Sequence, residues 1–475
     1  GNRRRLVIWV GRSAGKARLM EATYSFDRIE PLARQVTRTR PSLSYWQDAW
    51  RRFKANPRSL VSLYIVMALG LFTVLGPWVW TIDPTAQDLD QISTPPGADR
   101  RARVVEPYTR WVPPNITLEA LSPSRLAVIG EPTTQAVRLA WHPVVGASGY
   151  RVYRGIAEPN SPDALGLPLT DIVNAALTGF EDRLDLKPRT YHYTVVALST
   201  EGRELEGFAT LDVPVTRVIT TSEAIERGLS ERNGSALIGD VVYLDFHPLG
   251  TDYLGRDMLA RLMHGARVSL FIGIVAPFLY VMVGILYGSI AGFAGGRWDQ
   301  LLMRFADFVV ALPFLLFMIL FKMVFNTGPG ESGVFAMLLA MILLSWPATA
   351  RLVRGQILQI REEAYVGASR LLGAGSMYLI VRHMIPNTMG VILVTLTFAV
   401  PGAIFTEAFL SFIGMGVAPP NPSWGSMCNE GIKTMLTAPH ELVFPAVFIS
   451  LTVLVFNLLG DGLRDALDAR MRSAE

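Results

Sequence analysis

The sequence predicts an all-α membrane protein with six transmembrane helices and an all-β sandwich inserted between the first and second helix. The 475-residue chain is 50% hydrophobic and only 18% charged, whereas soluble proteins are usually about a quarter charged. Its apolar residues are gathered into six runs that approach the roughly 20 residues needed to cross a bilayer. Short alternating runs lie between the first two, and such alternation is typical of strands.

The first 58 residues form a basic segment ahead of the first apolar run. Residues 1–58 hold 14 Lys/Arg against 4 Asp/Glu, whereas the whole chain has a net charge of only +4. Positive charge beside a first spanning helix indicates the cytoplasmic side, with contact to anionic lipid as an added effect. Residues 45–54 mix aromatic and cationic side chains, which fits a helix at the membrane interface or an ordinary solvated tail.

The first spanning helix is predicted at residues 59–80, where an apolar run ends in Trp78 and Trp80. Tryptophan is common where a helix leaves the membrane. The Asp83-Pro84 pair follows, and proline cannot continue a helix without breaking its hydrogen bonds.

Residues 81–266 are polar, rich in proline and predicted to lie outside the cytoplasm. Several short runs in this region alternate apolar and polar residues between turn residues, as antiparallel strands do. We expect these strands to form a β-sandwich at about 111–217. The clearest runs lie at 137–141, 150–153 and 191–198.

Residues 267–460 are predicted to hold the other five spanning helices. Prolines interrupt several of them, which membrane helices tolerate where neighbours satisfy the freed backbone groups. Lysine and arginine are concentrated in alternate loops, so the positive-inside rule places both chain ends, including the tail at 461–475, in the cytoplasm. The apolar segments lie at about 268–294, 305–325, 334–350, 389–410 and 441–460.

The sequence contains no pattern for a catalytic centre. Cys428 is the only cysteine, and the six histidines show no paired ligand spacing, so neither an intrachain disulfide nor a Cys/His metal site is predicted. The phosphate-binding pattern G-x-x-x-x-G-K-[ST] is absent from the sequence. We therefore expect a chain that is not an enzyme and has no cofactor or metal of its own.

Residues 351–388 form a polar, helix-prone segment between two predicted spanning helices on the cytoplasmic side. Ala364, Ala368, Leu371 and Leu372 recur at helical spacing, and Gly373 is placed to end that helix. The pattern predicts a short helix that stands off the membrane with a small-residue face, which lets a partner surface approach closely. Taken alone, such a helical turn more often serves packing within its own chain.

The segment resembles the coupling motif of binding-protein-dependent ABC importers, in which Glu-Ala-Ala is followed at fixed spacing by Gly and by Ile-x-Leu-Pro. Gly367 replaces the motif glutamate, and Glu362 or Glu363 one turn earlier is the candidate substitute. His383 replaces the isoleucine, which is similar to the peptide and nickel branch of the family. The residues that the resemblance assigns to ATPase coupling are Glu363, Gly367, Ala368, Ser369, Gly373, His383, Ile385 and Pro386.

Other stretches resemble the same branch and occur in the expected order. The resemblance covers about 45–80 and 240–470, is strongest to the C-type permease of dipeptide and oligopeptide importers, and implies the type I ABC importer permease fold. The stretches are HPLGTDYLGRD at 247–257, ARVS at 266–269, the positions of Arg304, Asp307 and Pro313, PPNPSWG at 419–425, and NLLGDGLRDALD at 457–468.

Asp307 and Glu407 lie near the ends of predicted spans. Carboxylates inside a membrane often mark a substrate or proton path. The family implies no such role, so we expect these two side chains to have partners at helix ends or between helices.

The resemblance implies a permease subunit that translocates di- or oligopeptides by alternating access. The implied partners are a second permease in a heterodimer, two cytosolic ATPases that bind ATP and Mg, an extracytoplasmic solute-binding protein and membrane lipid, with no nucleic acid. The implied location is the cell membrane, with multiple spans. Nickel chelates or oligosaccharides are alternative substrates. A secondary transporter, or a surface receptor with a β-sandwich ectodomain, is the alternative class.

The predicted sandwich is an addition to what this branch usually has between its first two spans. Trp141 and the run at 186–197 resemble a fibronectin type III module, with Tyr191 as the corner tyrosine whose hydroxyl bonds nearby backbone. Such modules have no chemistry of their own. The sandwich is therefore expected to be either a docking surface or a spacer and stabilising cap.

Overall fold

The computed structural model describes residues 44–114, 123, 125–159, 165–229, 238–325 and 333–467. Most of the basic N-terminal segment, the loop at 326–332 and the end of the tail from residue 468 lie outside the described residues. The predictions that place those segments on one side of the membrane therefore remain predictions.

Two helices begin the described chain, α1 (Tyr45–Ala55) and α2 (Pro57–Val79). Ser44 and Gln47 form a capping box at the start of α1, which satisfies two free backbone donors. The Asn56 side chain accepts a hydrogen bond at the start of α2, and Pro57 occupies its first position, where its missing amide hydrogen has no effect. The helix predicted at 45–54 is confirmed.

The strands lie between α2 and the second long helix. They are β1 (Arg101–Val105), β2 (Ala127–Val128), β3 (Val137–Ala140), β4 (Gly149–Gly155), β5 (Pro168–Ile172), β6 (Gly179–Asp182), β7 (Thr190–Leu198), β8 (Glu204–Pro214), β9 (Val218–Thr220) and β10 (Val241–Tyr243). The strands predicted at 137–141, 150–153 and 191–198 are present as β3, β4 and β7.

Two antiparallel sheets pack face to face in this region. One sheet has the order β2–β3–β6 and the other β5–β4–β7–β8. Trp141, Tyr150 and Tyr193 are fully buried between them. The Tyr191 hydroxyl accepts a hydrogen bond from the Lys187 backbone amide at 3.0 Å, which is the tyrosine corner that the sequence predicts. We refer to these two sheets as the sandwich.

A second, smaller sheet was not predicted. β1 pairs antiparallel with β10 and parallel with β9, and the short helix α3 (Thr221–Glu226) follows β9. The sandwich is tied to this sheet, because the Thr134 amide donates to the Thr216 carbonyl at 2.9 Å and the Val218 amide donates to Thr134 Oγ1 at 3.1 Å. The strands have three to five residues and are far apart in sequence, so no local alternation reveals them.

The remaining helices build the membrane part. They are α4 (Met258–Ala294), α5 (Gly296–Ala311), α6 (Phe314–Val324), α7 (Val334–Arg361), α8 (Ala364–Leu371), α9 (Ser376–Tyr378), α10 (Ile385–Phe412), α11 (Trp424–Gly431) and α12 (His440–Leu467). A π-helical turn (Leu379–Met384) joins α9 to α10, so that Ser376–Phe412 is one long helix.

In the described part of the chain, five helices are long and apolar enough to cross a membrane, namely α2, α4, α7, the helix Ser376–Phe412 and α12. α5 and α6, which are bent by 79° relative to each other, add a sixth crossing if the pair is one broken span. The segment predicted at 305–325 is interrupted at Pro313, and α5 begins nine residues before it, at Gly296. Pro313 lacks an amide hydrogen, and Leu312 before it is extended, as the residue before a proline prefers to be.

α4 is the centre of the membrane part and packs against α7, α10 and α2. Glycines on α4 bring the neighbouring backbones close. A Cβ at Gly284 would lie 2.6 Å from the Thr349 Cβ, and one at Gly288 would overlap the Ala350 carbonyl oxygen. Small residues at crossings are how membrane helices gain packing energy, since lipid offers no hydrophobic contrast.

Candidate functional site

α8 is a short helix between the end of α7 and the start of α9. It is closed at its C-terminus by hydrogen bonds from the Gly373 amide to the Arg370 carbonyl at 3.0 Å and from the Ala374 amide to the Ser369 carbonyl at 3.1 Å. Gly373 has φ +90°, a backbone conformation that glycine adopts without steric cost. The sequence prediction that Gly373 ends this helix is confirmed.

α8 is anchored by one buried side chain. Val366 is fully buried and packs with Val353 and Ile357 of α7 and with Met384 beyond α9. On a helical projection, Val366 lies opposite Gly367, Ala368 and Leu371. Val366 is not among the residues predicted from the sequence. Its signal there is an apolar side chain on the helix face opposite the small residues.

The opposite face of α8 is exposed and mostly apolar. Leu371 and Leu372 are each 91% exposed, and Gly367 and Ala368 are also exposed. A Cβ added at Gly367 would meet nothing within 4 Å, so the packing of the described residues does not require glycine there. Two leucines exposed side by side, next to a small-residue face, are typical of an interaction surface.

A polar contact ties α8 to the following helix. Asn387 Nδ2 donates to the Tyr365 hydroxyl at 2.9 Å. The His383 ring packs against the rings of Tyr365 and Tyr378, with centroid distances of 6.2 and 5.5 Å. His383 thus lies between two tyrosine rings of its own chain. Among the described residues, no group of three or more His, Cys, Asp or Glu is placed to hold a metal ion.

The other predicted coupling residues lie on the same two elements. Ser369 Oγ donates to the Tyr365 carbonyl at 2.8 Å within α8. Ile385 is half-buried against the core beneath α8, and Pro386 is exposed at the start of α10. Thus Gly367, Ala368, Ser369 and Gly373 form the protruding part of the segment, and His383, Ile385 and Pro386 form its base.

The two candidate substitutes for the motif glutamate differ in their partners. Glu362 Oε1 accepts from Arg361 Nε at 3.2 Å. The Glu363 side chain is exposed at the N-cap of α8 and makes no ion pair with any described residue. Glu363 is therefore the carboxylate available to a cationic partner.

Ion pairs join the C-terminal part of α7 to α5. Arg354 donates from Nε and Nη2 to the two Asp299 carboxylate oxygens, each at 2.5 Å. Arg351 pairs with Asp307 at 2.7 Å, so the interhelix partner expected for Asp307 is confirmed. Asp299 is not among the residues predicted from the sequence, although a carboxylate at the start of an otherwise apolar helix signals a required partner.

Glu407 is fully buried near the other end of the helices. Its carboxylate accepts hydrogen bonds from Ser269 Oγ of α4 at 2.7 Å and from Ser411 Oγ of α10 at 2.8 Å. Ser269 also accepts from the Trp424 amide at 3.3 Å. The interhelix role expected for Glu407 is confirmed, and it ties α4, α10 and α11 together.

The stretch at 247–257 forms the N-terminal cap of α4. Asp257 Oδ1 accepts from the Ala260 amide at 2.6 Å, and Asp257 Oδ2 lies 2.7 Å from His247 Nδ1. Burial opposes the charge on His247, but Asp257 and Asp88 outweigh burial and raise the pKa of His247 to about 9. Arg261, also buried, pairs with Asp252 and with Glu430, the latter at 2.7 Å.

Two known families match this chain. A family described as the binding-protein-dependent transport system inner membrane component matches residues 284–473, and the N-terminal TM domain of oligopeptide transport permease C matches residues 44–96. The OppC oligopeptide transport permease of Bacillus subtilis (strain 168) is 49% identical over 226 residues, which cover 48% of this chain and 72% of that protein. The chain belongs to this family of binding-protein-dependent permeases.

Other permeases of the family are similar. The DppC dipeptide transport permease of Bacillus subtilis is 46% identical over 227 residues, 48% of this chain and 69% of that protein. The OppC of Haemophilus influenzae is 40% identical over 227 residues, 48% of this chain and 71% of that protein. Each is named as a permease protein of a transport system, so this chain is a multi-pass transport subunit and not an enzyme. The sandwich lies outside both segments matched by the families.

Proposed function

We propose that this permease is the membrane subunit of an ATP-driven peptide importer and that α8 is the surface gripped by its ATPase partner. The exposed face of α8 is the observation that carries this proposal. Leu371 and Leu372, each 91% exposed, adjoin the exposed Gly367 and Ala368 and form with them a contiguous apolar patch, which is typical of a surface that a partner covers. Glu363, Gly367, Ala368 and Ser369 would complete that contact.

The described contacts support a mechanical route from α8 to the membrane. Val366 holds α8 against α7, and Tyr365 and His383 hold it against the helix Ser376–Phe412. Gly373, Ile385 and Pro386 sit where these elements join. A partner that closes on ATP would move α7 and α10 together. ATP would favour the inward-open or the outward-open state only if it binds the assembly more tightly in one of these states than in the other.

The proposed assembly contains a second permease in a heterodimer, two ATPases that bind ATP and Mg, and an extracytoplasmic binding protein. Charge supports the orientation, because Arg351, Arg354 and Arg361 lie on the part of α7 that leads to α8, Arg370 lies on α8 itself, and positive charge favours the cytoplasmic side. The sandwich, at the other end of the helices, would then be extracytoplasmic. The hydrogen bonds to the small sheet would hold the sandwich in a fixed position. We propose that this fibronectin type III-like sandwich is a docking surface.

Short peptides are the proposed substrate class. The similar permeases are named for oligopeptide and dipeptide transport, and one from Escherichia coli, 43% identical over 226 residues, for glutathione. Nickel chelates and oligosaccharides remain the alternative substrates. Transport assays with labelled di-, tri- and tetrapeptides against a nickel chelate would separate these alternatives.

Leu372→Glu tests the coupling surface. We expect the ATPase subunits to dissociate and peptide uptake to fall at least tenfold, because the substitution would bury a charge in an apolar contact. A tenfold loss of affinity corresponds to about 1.4 kcal/mol of binding free energy. The measurements are co-purification of the ATPases with the tagged permease and uptake into proteoliposomes.

Leu436→Glu is the matched control for this change. Leu436 is 92% exposed and lies near the opposite ends of the helices, so the same substitution should leave ATPase association intact. Unchanged uptake in Leu372→Glu would contradict the proposal and favour a secondary transporter that needs no ATPase. If the unmodified chain transports no peptide and binds no ATPase, the result would favour the alternative of a surface receptor with a β-sandwich ectodomain.

A further inference from the structure

A narrow groove of about 290 Å³ opens beneath α1. α1 supplies one wall with Trp46, Trp50 and Phe53, and α12 supplies the other with Leu459 and Leu463, while Leu63 of α2 also lines it. The Trp50 and Phe53 rings are stacked with centroids 5.6 Å apart. With Thr397 of α10, residues from four helices line the groove, so it is not a gap beside a single side chain.

The lining of the groove is almost wholly apolar. Apart from the indole groups of Trp46 and Trp50, the polar group among the lining residues is the hydroxyl of Thr397 on α10, which is committed to the Leu393 carbonyl at 2.8 Å. A bound water needs two to four polar partners, so water is a poor occupant. The chemistry of the groove selects a hydrocarbon ligand.

The position of the groove places it against the bilayer. α2 begins and α12 ends at this end of the molecule, and both are apolar enough to cross a membrane. Leu459 and Leu463 are one turn apart on α12, and the lining continues to Leu467, which spans about 12 Å at 1.5 Å per residue. The groove thus runs for about two helical turns along the end of α12, next to the start of α2.

A cationic side chain stands beside the groove. Lys54 Nζ lies 5.0 Å from the centroid of the Trp50 ring, which lines the groove, and Lys54 is exposed. Lys54 makes no ion pair with a described residue. Asp461 and Asp465 are exposed on α12 but do not line the groove. An anionic group beside Lys54 would be favourable, because basic residues at a membrane surface attract anionic lipid.

We propose that this groove binds an acyl chain of an anionic membrane phospholipid, with the lipid phosphate on Lys54. The acyl chain would lie between α1 and α12 and so fasten α1 to the spanning helices. This inference does not depend on the transported substrate or on α8.

The test uses the full chain in lipid nanodiscs that contain a photoactivatable lipid with the reactive group on its acyl chain. Two probes are compared, phosphatidylglycerol and phosphatidylcholine with identical acyl chains, and crosslinked peptides are identified by mass spectrometry. We expect labelling of peptides from α1 and from the end of α12, several-fold stronger with phosphatidylglycerol.

Two pairs of variants make the result specific. Lys54→Glu should abolish the preference for phosphatidylglycerol, whereas Arg51→Glu, an exposed cation on the same helix that does not line the groove, should retain it. Leu463→Trp should fill the groove and lower labelling by both lipids several-fold. Leu454→Trp, at a 55% exposed position on the same helix, should not.

Three outcomes would overturn the proposal. Equal labelling of the parent and Leu463→Trp would show ordinary lipid contact at the protein surface. Equal labelling by both lipids in the parent chain would show that the groove does not select an anionic headgroup. Crosslinks from residues 1–43 into the groove, in place of lipid, would assign it to the chain's own N-terminal segment.

Discussion

Single residues at the start of α4 set how the cap of this helix responds to pH. His247 lies between Asp257 and Asp88, with its Nε2 4.0 Å from Asp88 Oδ2. The pKa of His247 is raised from 6.5 to about 9. A group whose pKa is higher in the folded state stabilises the fold below its unfolded pKa and loses that effect as pH rises through the folded value.

We therefore expect the cap to lose stability between about pH 6.5 and pH 9. Thermal unfolding of the purified chain across this range, with hydrogen exchange of residues 247–257, measures the effect. His247→Gln retains a hydrogen-bond donor but cannot titrate, so its stability should be flat over the same range. An equally steep loss in His247→Gln would assign the pH dependence to another group.

Gly373 illustrates a backbone requirement at the same scale. Gly373→Ala places a Cβ on a residue with φ +90°, which costs about 1–2 kcal/mol. We expect this loss of stability to appear as faster hydrogen exchange of the α8 amides. Gly375→Ala is the matched control, because Gly375 has φ −68° and an added Cβ at either glycine meets nothing within 4 Å. Equal effects of the two changes would exclude backbone strain as the cause.

At the scale of elements, helix packing depends on close approach between α4 and α7. Gly288→Ala would force a Cβ into the Ala350 carbonyl oxygen, and overpacking of this kind typically costs about 1–3 kcal/mol. We expect a lower yield of folded permease and a lower unfolding temperature in detergent. The backbone cannot yield cheaply, because both helices are continuous through this crossing.

Gly355→Ala is the control for this change. Gly355 lies on α7, and an added Cβ meets nothing within 4 Å, so the substitution should be neutral or stabilise the helix by about 0.5–1 kcal/mol. If Gly288→Ala were equally harmless, the contact between α4 and α7 would have to be looser than the structure shows.

At the scale of the whole molecule, the sandwich and the membrane part have separate cores. Trp141, Tyr150 and Tyr193 belong to one cluster, and the clusters around α4 contain none of them. The sandwich is tied to the small sheet by the threonine hydrogen bonds and the Arg103–Glu131 ion pair, and to the connecting segment by the Tyr108 hydroxyl, which donates to Glu181. Loss of the sandwich core should therefore leave the spanning helices assembled.

Trp141→Ala tests this independence. Removing a fully buried tryptophan costs about 3–5 kcal/mol, which is enough to unfold a small sandwich. Limited proteolysis should then cut within the sandwich while the ATPases still co-purify with the permease. Tyr243→Ala, at a 62% exposed position on the small sheet, should leave the sandwich resistant. Dissociation of the ATPases in Trp141→Ala would contradict the separation of the cores.

Local patterns in the sequence were sufficient for the spanning segments, three strands of the sandwich and α8. A spanning helix or an alternating strand shows its composition within about 20 consecutive residues. The turn at Gly373 and the corner at Tyr191 are local in the same sense. The break at Pro313 also had a local signal, because a proline within an apolar segment marks an interruption, but the 79° angle between α5 and α6 had none.

Contacts between distant parts of the chain were settled only by the tertiary structure. The burial of Val366 against Val353 and Met384, and the pairing of Asp299 with Arg354, depend on which helices become neighbours. The groove between Trp50 and Leu463 joins residues from opposite ends of the chain. Periodicity tells which face of a helix is apolar, but it does not tell which surface covers that face, because that choice depends on how all the helices pack together.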